Sequence, residues 1–146
     1  MKSADIFKLF GVAAFYSSLL EEALDHICIM NETVMNQDKY KRQGNNYGAV
    51  KKFEKTTLGN YIANLKKVLD SDKHSSLVDD MFKPALEKRN YLIHNFYIKN
   101  QDRILKEDRL NELAGELKSI TSVIEQASKI ACTMREEIGV LYHGGT

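Results

Sequence analysis

The sequence is poor in the residues that break helices or cross-link chains. Its 146 residues include one proline, eight glycines, two cysteines and no tryptophan. So few helix breakers leave long uninterrupted stretches, which favours an all-α fold. The formal net charge of only +1 excludes a surface that attracts nucleic acid as a whole. Any RNA contact would therefore depend on a local cluster of charge.

Few side chains suited to binding a metal are present, and their spacing does not suit one. Cys28 and Cys132 belong to no CxxC pair, and we interpret them as ordinary thiols of a reducing compartment. His26 and Cys28 are two residues apart, so on a helix their side chains point ~200° apart. We therefore expect no disulfide, no metal and no other cofactor.

Long apolar runs are also absent from the sequence. No run approaches the roughly 18 residues that a helix needs to cross a membrane. The chain reaches Asp5 too early for a signal peptide. We expect a cytoplasmic protein without a membrane partner, and the length fits a single domain over 1–146 with its own core.

Apolar residues recur at steps of three and four in four stretches, which predicts amphipathic helices. We expect helices over about 3–31, 50–69, 77–96 and 108–141, with Pro84 kinking or dividing the third. The polar stretch 36–49 is predicted to be a loop, and 142–146 a frayed tail. The expected fold is an all-α antiparallel bundle of four to five helices.

One residue departs from the apolar pattern of the third helix. On a wheel at about 100° per residue, Arg89 falls among Ala85, Leu92 and Phe96. A buried guanidinium without a partner costs several kcal/mol, so Arg89 needs a carboxylate, an exit to solvent or an anionic ligand. The candidate carboxylates are Glu21, Glu22 and Asp25.

A polar strip lies on another face of the same helix. His94 stands about 140° from Arg89, and Asn90 and Tyr97 lie four residues before and three residues after it. A rise of ~7.5 Å separates Arg89 from His94, which an extended arginine can span. Arginine binds phosphate oxygens with a planar fork, and an imidazole exchanges protons near neutral pH.

The segment Arg89-Asn90-Tyr91-Leu92-Ile93-His94 resembles the R-x4-H signature of HEPN domains, including the polar residue after the arginine. Members of that family are helical bundles of about this size, and they form two-fold dimers that bring two motifs to a shared cleft. The resemblance implies a homodimeric, metal-independent endoribonuclease. It also implies a toxin or phage-defence effector held in check by a cognate antitoxin or another inhibitor protein.

The resemblance assigns a role to each catalytic candidate. The RNA's own 2′-hydroxyl would attack the adjacent phosphate, with His94 as general acid or base. Arg89 would stabilise the developing negative charge, and Asn90 would orient the phosphate or His94. In one toxin subgroup a modified tyrosine stands two residues after the histidine. Here that position is Phe96, and the tyrosine is Tyr97.

Basic and aromatic residues suggest where RNA would be held. They include the substrate-binding candidates Lys41, Arg42, Lys51, Lys52 and Tyr97, with Tyr40 and Tyr47 among the basic residues. Such mixtures can bind single-stranded RNA by phosphate contact and base stacking, although a solvated loop has the same composition. A non-catalytic dimeric helical module that binds a protein or nucleotide through the same cleft is the alternative function.

Overall fold

Helices and short turns make up the described chain, which contains no strand. The computed structural model describes residues 1–42, 47–68 and 75–143, without the side chains of 40–42, 47, 68, 75 and 140–143. The all-α prediction is confirmed. The helices are α1 (Ser3–Met35), α2 (Gln37–Arg42), α3 (Tyr47–Lys52), α4 (Leu58–Val68), α5 (Ser75–Leu77), α6 (Lys83–His94), α7 (Phe96–Leu105) and α8 (Leu110–His143), and a π-helical turn (Val78–Phe82) joins α5 to α6.

The two longest helices, α1 and α8, pack along each other and form the frame of the fold. At the start of α1 the carboxylate of Asp5 accepts the backbone N–H of Lys2 at 2.8 Å, which satisfies one donor that a helix leaves free. The Ser3 hydroxyl donates to the carbonyl of Ile104 at 2.7 Å and so ties α1 to the end of α7. The core face of α8 buries the residues that the apolar spacing predicted, among them Leu113, Leu117, Ile124, Ala127 and Ala131.

The buried side chains form two clusters along this frame. One cluster joins the C-terminal half of α1 to α4, the π-helical turn and the end of α8, and is built around Leu24, Phe82 and Leu65. The other joins the N-terminal half of α1 to α6, α7 and the start of α8, around Ile6, Phe96 and Leu113. The candidate motif lies beside this second cluster, because Leu92 and Phe96 belong to it.

The single helix predicted over 50–69 is wrong, because α3 and α4 are separate. Lys55 has a φ of 64°, a left-handed conformation that no α-helix contains. The Thr57 hydroxyl accepts the N–H of Asn60 at 3.3 Å and caps the start of α4. The predicted apolar face is nevertheless buried at Phe53, Leu58, Ile62 and Leu65; Leu69 lies outside the described residues.

The boundaries of the predicted loop and tail also differ from the structure. Residues 37–42 form α2 and residues 47–49 begin α3, so the loop prediction over 36–49 is wrong there. Neither Gly nor Pro interrupts 37–42, and an acidic residue in its first turn favours a helix. The last helix continues to His143, beyond the predicted start of the tail. Gly44, Asn45 and Asn46, at the centre of the predicted loop, lie outside the described chain, as do residues 144–146.

Pro84 divides the third helical stretch, as predicted. It occupies the first turn of α6, where its missing N–H costs nothing. The turn before it widens into a π-helix, in which the N–H of Lys83 donates to the carbonyl of Val78. A second interruption, at Asn95, was not predicted; it separates α6 from α7.

The apolar character of α1 is greater than was predicted from the sequence. Helix Ser3–Met35 contains an 18-residue window with a mean hydropathy of 1.2, long and apolar enough to cross a membrane, and 22% of that window is buried in the fold. This corrects the expectation that no segment reaches that length. The core helix of a soluble protein and a signal sequence have the same properties, so length and composition do not decide between them.

Candidate functional site

The motif occupies the end of α6, where the helical path is interrupted. His94 is the last residue of α6, and Asn95 leaves the helical conformation with φ −126° and ψ −22°. The N–H of Asn95 still donates to the carbonyl of Tyr91 at 2.9 Å, and the carbonyl of Asn95 accepts the N–H of Lys99 at 2.9 Å. The chain therefore bends without separating the two helices, and His94 is exposed beside the bend.

Arg89 is half-buried at the edge of the apolar face. Ala85, Leu92 and Phe96, its neighbours on the wheel, are all fully buried. Its guanidinium Nη1 donates to Oδ1 of Asn90 at 3.2 Å, and it forms no ion pair with any residue in the described chain. Of the carboxylates proposed as partners, Asp25 instead accepts the hydroxyl of Tyr61 at 2.7 Å. The positive charge of Arg89 is therefore not neutralised within the described chain.

Asn90 and His94 lie one turn apart on the outer face of α6, and both are exposed. Glu87 is also exposed and lies seven residues before His94. Seven residues make almost two full helical turns, so Glu87 and His94 lie within about 20° of each other around the helix axis. Glu87 was not predicted as a site residue, although its seven-residue spacing from His94 can be read from the sequence. The outer face of α6 thus carries a carboxylate, an amide and an imidazole, next to the unpaired charge of Arg89.

Tyr97 is held in an aromatic cluster. Its ring centroid lies 4.6 Å from Phe10, 5.4 Å from Phe96 and 5.9 Å from Phe7. Burial raises the pKa of the Tyr97 hydroxyl above its ordinary value, and the side chain is 37% exposed. One edge of the ring can meet a ligand, but its face packs against α1. The predicted strip of Asn90, His94 and Tyr97 is thus interrupted by the bend at Asn95.

Lys51 and Lys52, two of the predicted substrate-binding residues, are far from the motif within one chain. Lys52 pairs with Glu32 at 2.9 Å near the end of α1, whereas Tyr97 contacts Phe10 near its start. At 1.5 Å per residue, those two points on α1 are ~33 Å apart. Lys51 is exposed and lines a shallow groove with Asp25 and Tyr61. The side chains of Lys41 and Arg42 lie outside the described residues.

Large apolar side chains are exposed on either side of the motif. Ile93 is 50% exposed, and Ile98 is 76% exposed. Phe7 of α1, in contact with Tyr97, is 51% exposed. Helical periodicity could not predict the role of these residues, because each lies outside the apolar face that recurs at steps of three and four residues. A surface of this kind is typical of a site that another molecule covers.

Comparisons with known proteins give no family for this chain. No protein-family model, curated protein or solved structure matches it. Within the described ranges, no group of three or more His, Cys, Asp or Glu side chains is placed to hold a metal ion. The polar side chains that the structure places at the site are those of Arg89, Asn90, His94 and Glu87.

Proposed function

We propose that the protein is a metal-independent endoribonuclease of the HEPN type, acting as a homodimer whose cleft contains Arg89, Asn90 and His94 from both copies. One observation carries the proposal. Arg89 is half-buried as a residue, its guanidinium donates to the amide oxygen of Asn90 at the surface, and it has no carboxylate partner in the described chain. A cation held in this way is suited to an anionic ligand, and the RNA phosphate is the anion that the resemblance implies.

The reaction that fits these side chains is an internal transesterification. The 2′-oxygen forms a bond to the adjacent phosphorus, and the bond from phosphorus to the 5′-oxygen breaks. His94 takes the proton of the 2′-hydroxyl or supplies one to the leaving 5′-oxygen, while Arg89 stabilises the extra negative charge on the phosphorane. The products are a 2′,3′-cyclic phosphate and a free 5′-hydroxyl. A second copy would supply the second imidazole that the full proton transfer requires.

Cleavage of RNA in the presence of EDTA tests the proposal. We expect the wild-type protein to cut at least one of a varied set of RNAs, and His94→Ala to lower the rate about 10²- to 10⁴-fold. Arg89→Ala should lower it by a similar or larger factor. Lys88→Ala is the matched control, because Lys88 is exposed on the same helix and adjoins Arg89. Lack of cleavage by the wild type, or equal cleavage by all variants, would contradict the enzyme.

A non-catalytic dimeric module is the second candidate. Its support is the separation of Lys52 from the motif and the exposure of Ile93 and Ile98 beside it, a surface suited to a protein more than to a nucleic acid. Such a module would leave RNA intact and would bind its partner equally well as wild type and as His94→Ala. A binding experiment with both forms therefore separates the two functions. On either reading we propose the cytoplasm as the compartment.

A further inference from the structure

The N-terminal half of α1 has an outer face that no part of the described chain covers. Phe7 is 51%, Val12 46% and Phe15 58% exposed, although Ile6 and Ala13 on the opposite face are fully buried. Lys8 is the only charged residue between Ile6 and Leu20. An apolar face of this length that no part of the described chain covers indicates a docking surface.

We propose that this face of α1 binds the same face of a second copy of the chain, antiparallel, around a two-fold axis beside Gly11. The pattern on the face is symmetric about that glycine. Phe7 and Phe15 stand four residues to either side of it, and the small residues Ala4 and Ser18 stand seven residues to either side. In a two-fold contact each residue meets the symmetric position of its partner, so the Phe7 of each copy would pack beside the Phe15 of the other.

Gly11 provides the close approach that such a crossing needs. A Cβ added there would meet nothing within 4 Å, so the glycine is not required by packing inside the chain. Glycine in an exposed helix costs about 0.5–1 kcal/mol relative to alanine. Gly115 and Gly139 share this property, but Gly11 lies between the exposed Phe7 and Phe15, and a small residue in the middle of an apolar face lets another backbone approach closely.

Charge favours the antiparallel pairing of two copies. The face carries Lys8 toward one end and the exposed Glu22 at the other. An antiparallel arrangement brings Glu22 of each copy toward the start of the other's α1, where the side chain of Lys2 and the N-terminal end of the helix dipole are positive. A parallel arrangement would set Lys8 against Lys8 and Glu22 against Glu22. A membrane-surface helix would instead carry several Lys or Arg beside its apolar face, and this face has one.

The size of the face shows that the contact must extend beyond α1. The stretch from Ala4 to Leu19 is ~24 Å long and ~10 Å wide, which is too small for the roughly 800 Å² per partner of a stable interface. The rings of Phe7 and Tyr97 touch, so the apolar surface continues onto α7, where Ile98 is 76% exposed. That continuation reaches the residues beside His94. The pairing itself is independent of the proposed function. The further idea that pairing brings the two motifs into one active cleft rests on the proposed function.

Measurement of mass in solution tests the pairing. We expect the wild-type protein to have twice the 16.7 kDa of one chain by sedimentation or light scattering. Gly11→Glu should raise the dimer dissociation constant at least tenfold while the helical signal in circular dichroism stays unchanged. The matched control is Gly115→Glu, because Gly115 is also exposed in a long helix with nothing within 4 Å of an added Cβ. Phe15→Lys should dissociate the dimer as well, whereas Met35→Lys, at a residue 74% exposed, should not.

Cross-linking tests the position of the axis. In a chain whose Cys28 and Cys132 are replaced by serine, Gly11→Cys should form a covalent dimer on mild oxidation, and Gly115→Cys should not. A monomeric wild type, or a dimer unaffected by Gly11→Glu and Phe15→Lys, would overturn the proposal. So would a monomer that sediments with anionic lipid vesicles and loses that binding with Phe15→Lys, which would show a membrane surface.

The two proposals fail separately. Arg89→Ala should remain a dimer, because its side chain lies outside the α1 face. A dimer of the expected geometry that leaves RNA intact would contradict the ribonuclease alone. A monomer that cleaves RNA would contradict the pairing alone.

Discussion

The two halves of α1 bury the same kind of face against α8 but present different outer faces. In the C-terminal half, polar side chains have partners: Asp25 accepts the hydroxyl of Tyr61, Glu32 pairs with Lys52, and His26 lies 3.5 Å from Arg135. In the N-terminal half, the outer face carries Phe7, Val12 and Phe15, all exposed. The inner faces account for the fold, and the proposed pairing of two copies rests on the difference between the outer faces.

The largest expected effect comes from the inner faces, where the halves should behave alike. Leu24→Ala in one cluster and Leu113→Ala in the other each remove a fully buried side chain. Each should lower the free energy of unfolding by about 2–5 kcal/mol. Urea unfolding followed by circular dichroism measures this, and Met35→Ala serves as the exposed control. A variant that loses only part of its helical signal in a first transition would show that the halves unfold independently.

A smaller effect is expected where the C-terminal half buries a polar group. The Tyr61 hydroxyl donates to Asp25 at 2.7 Å and lies 3.2 Å from the carbonyl of Phe53. Tyr61→Phe should lower the free energy of unfolding by about 1–2 kcal/mol. In thermal melts at neutral pH, Tyr91→Phe is the control, since the Tyr91 hydroxyl bonds to no residue in the described chain. Equal losses in the two variants would show that the bond to Asp25 adds nothing.

The same hydroxyl predicts how stability depends on alkaline pH. Burial, and then the bond to Asp25, raise the pKa of Tyr61 well above the ordinary value of 10.0. The unfolded chain therefore loses this proton first as the pH rises. The stabilisation is complete below about pH 10 and is lost progressively above it. Tyr61→Phe should lose less stability than the wild type between neutral pH and the alkaline range, and parallel curves would contradict this assignment.

The smallest effect is expected for the ion pair between Lys52 and Glu32. The Lys52 side chain is half exposed, and such pairs contribute about 0–1 kcal/mol. Lys52→Met should shift the melting temperature little at low salt and not at all in about 1 M salt, where charges are screened within ~3 Å. Melting curves at the two salt concentrations measure the shift. A loss above 2 kcal/mol would show that the polar outer face contributes to the fold as much as the core does.

Helical periodicity predicted the parts of the fold in which one face is buried against one neighbour. In α8, the spacing of Leu113, Leu117 and Ile124 was enough, because α1 is its main partner and the same face of α8 also meets α6 and the π-helical turn. Periodicity failed at two places where the backbone leaves the helical conformation, between α3 and α4 and at Asn95. The cap at Thr57 and the bend at Asn95 depend on backbone conformations that neighbouring residues allow but do not require.

The candidate site was predictable in composition but less so in arrangement. The wheel placed Arg89 near the core and His94 on another face, and in the structure Arg89 is half-buried and His94 exposed. It could not show that Tyr97 packs against Phe10, because that contact joins residues 87 positions apart in the sequence. The exposed residues Phe7 and Phe15 carried a signal from the start. They were the apolar residues of α1 that did not fit its core face.

The pairing of α1 with α8 has a consequence for the synthesis of the chain. α1 is synthesised well before α8 and cannot pack against it until α8 has been made, since Met35 and His143 are separated by 108 residues. At about 5–20 residues per second, a ribosome needs roughly 5–20 s to make that length. Throughout this interval the part of the core face of α1 that packs on α8 is uncovered, and so is its outer apolar face. The nascent protein should therefore be a substrate for chaperones until its last helix emerges, however stable the finished fold is.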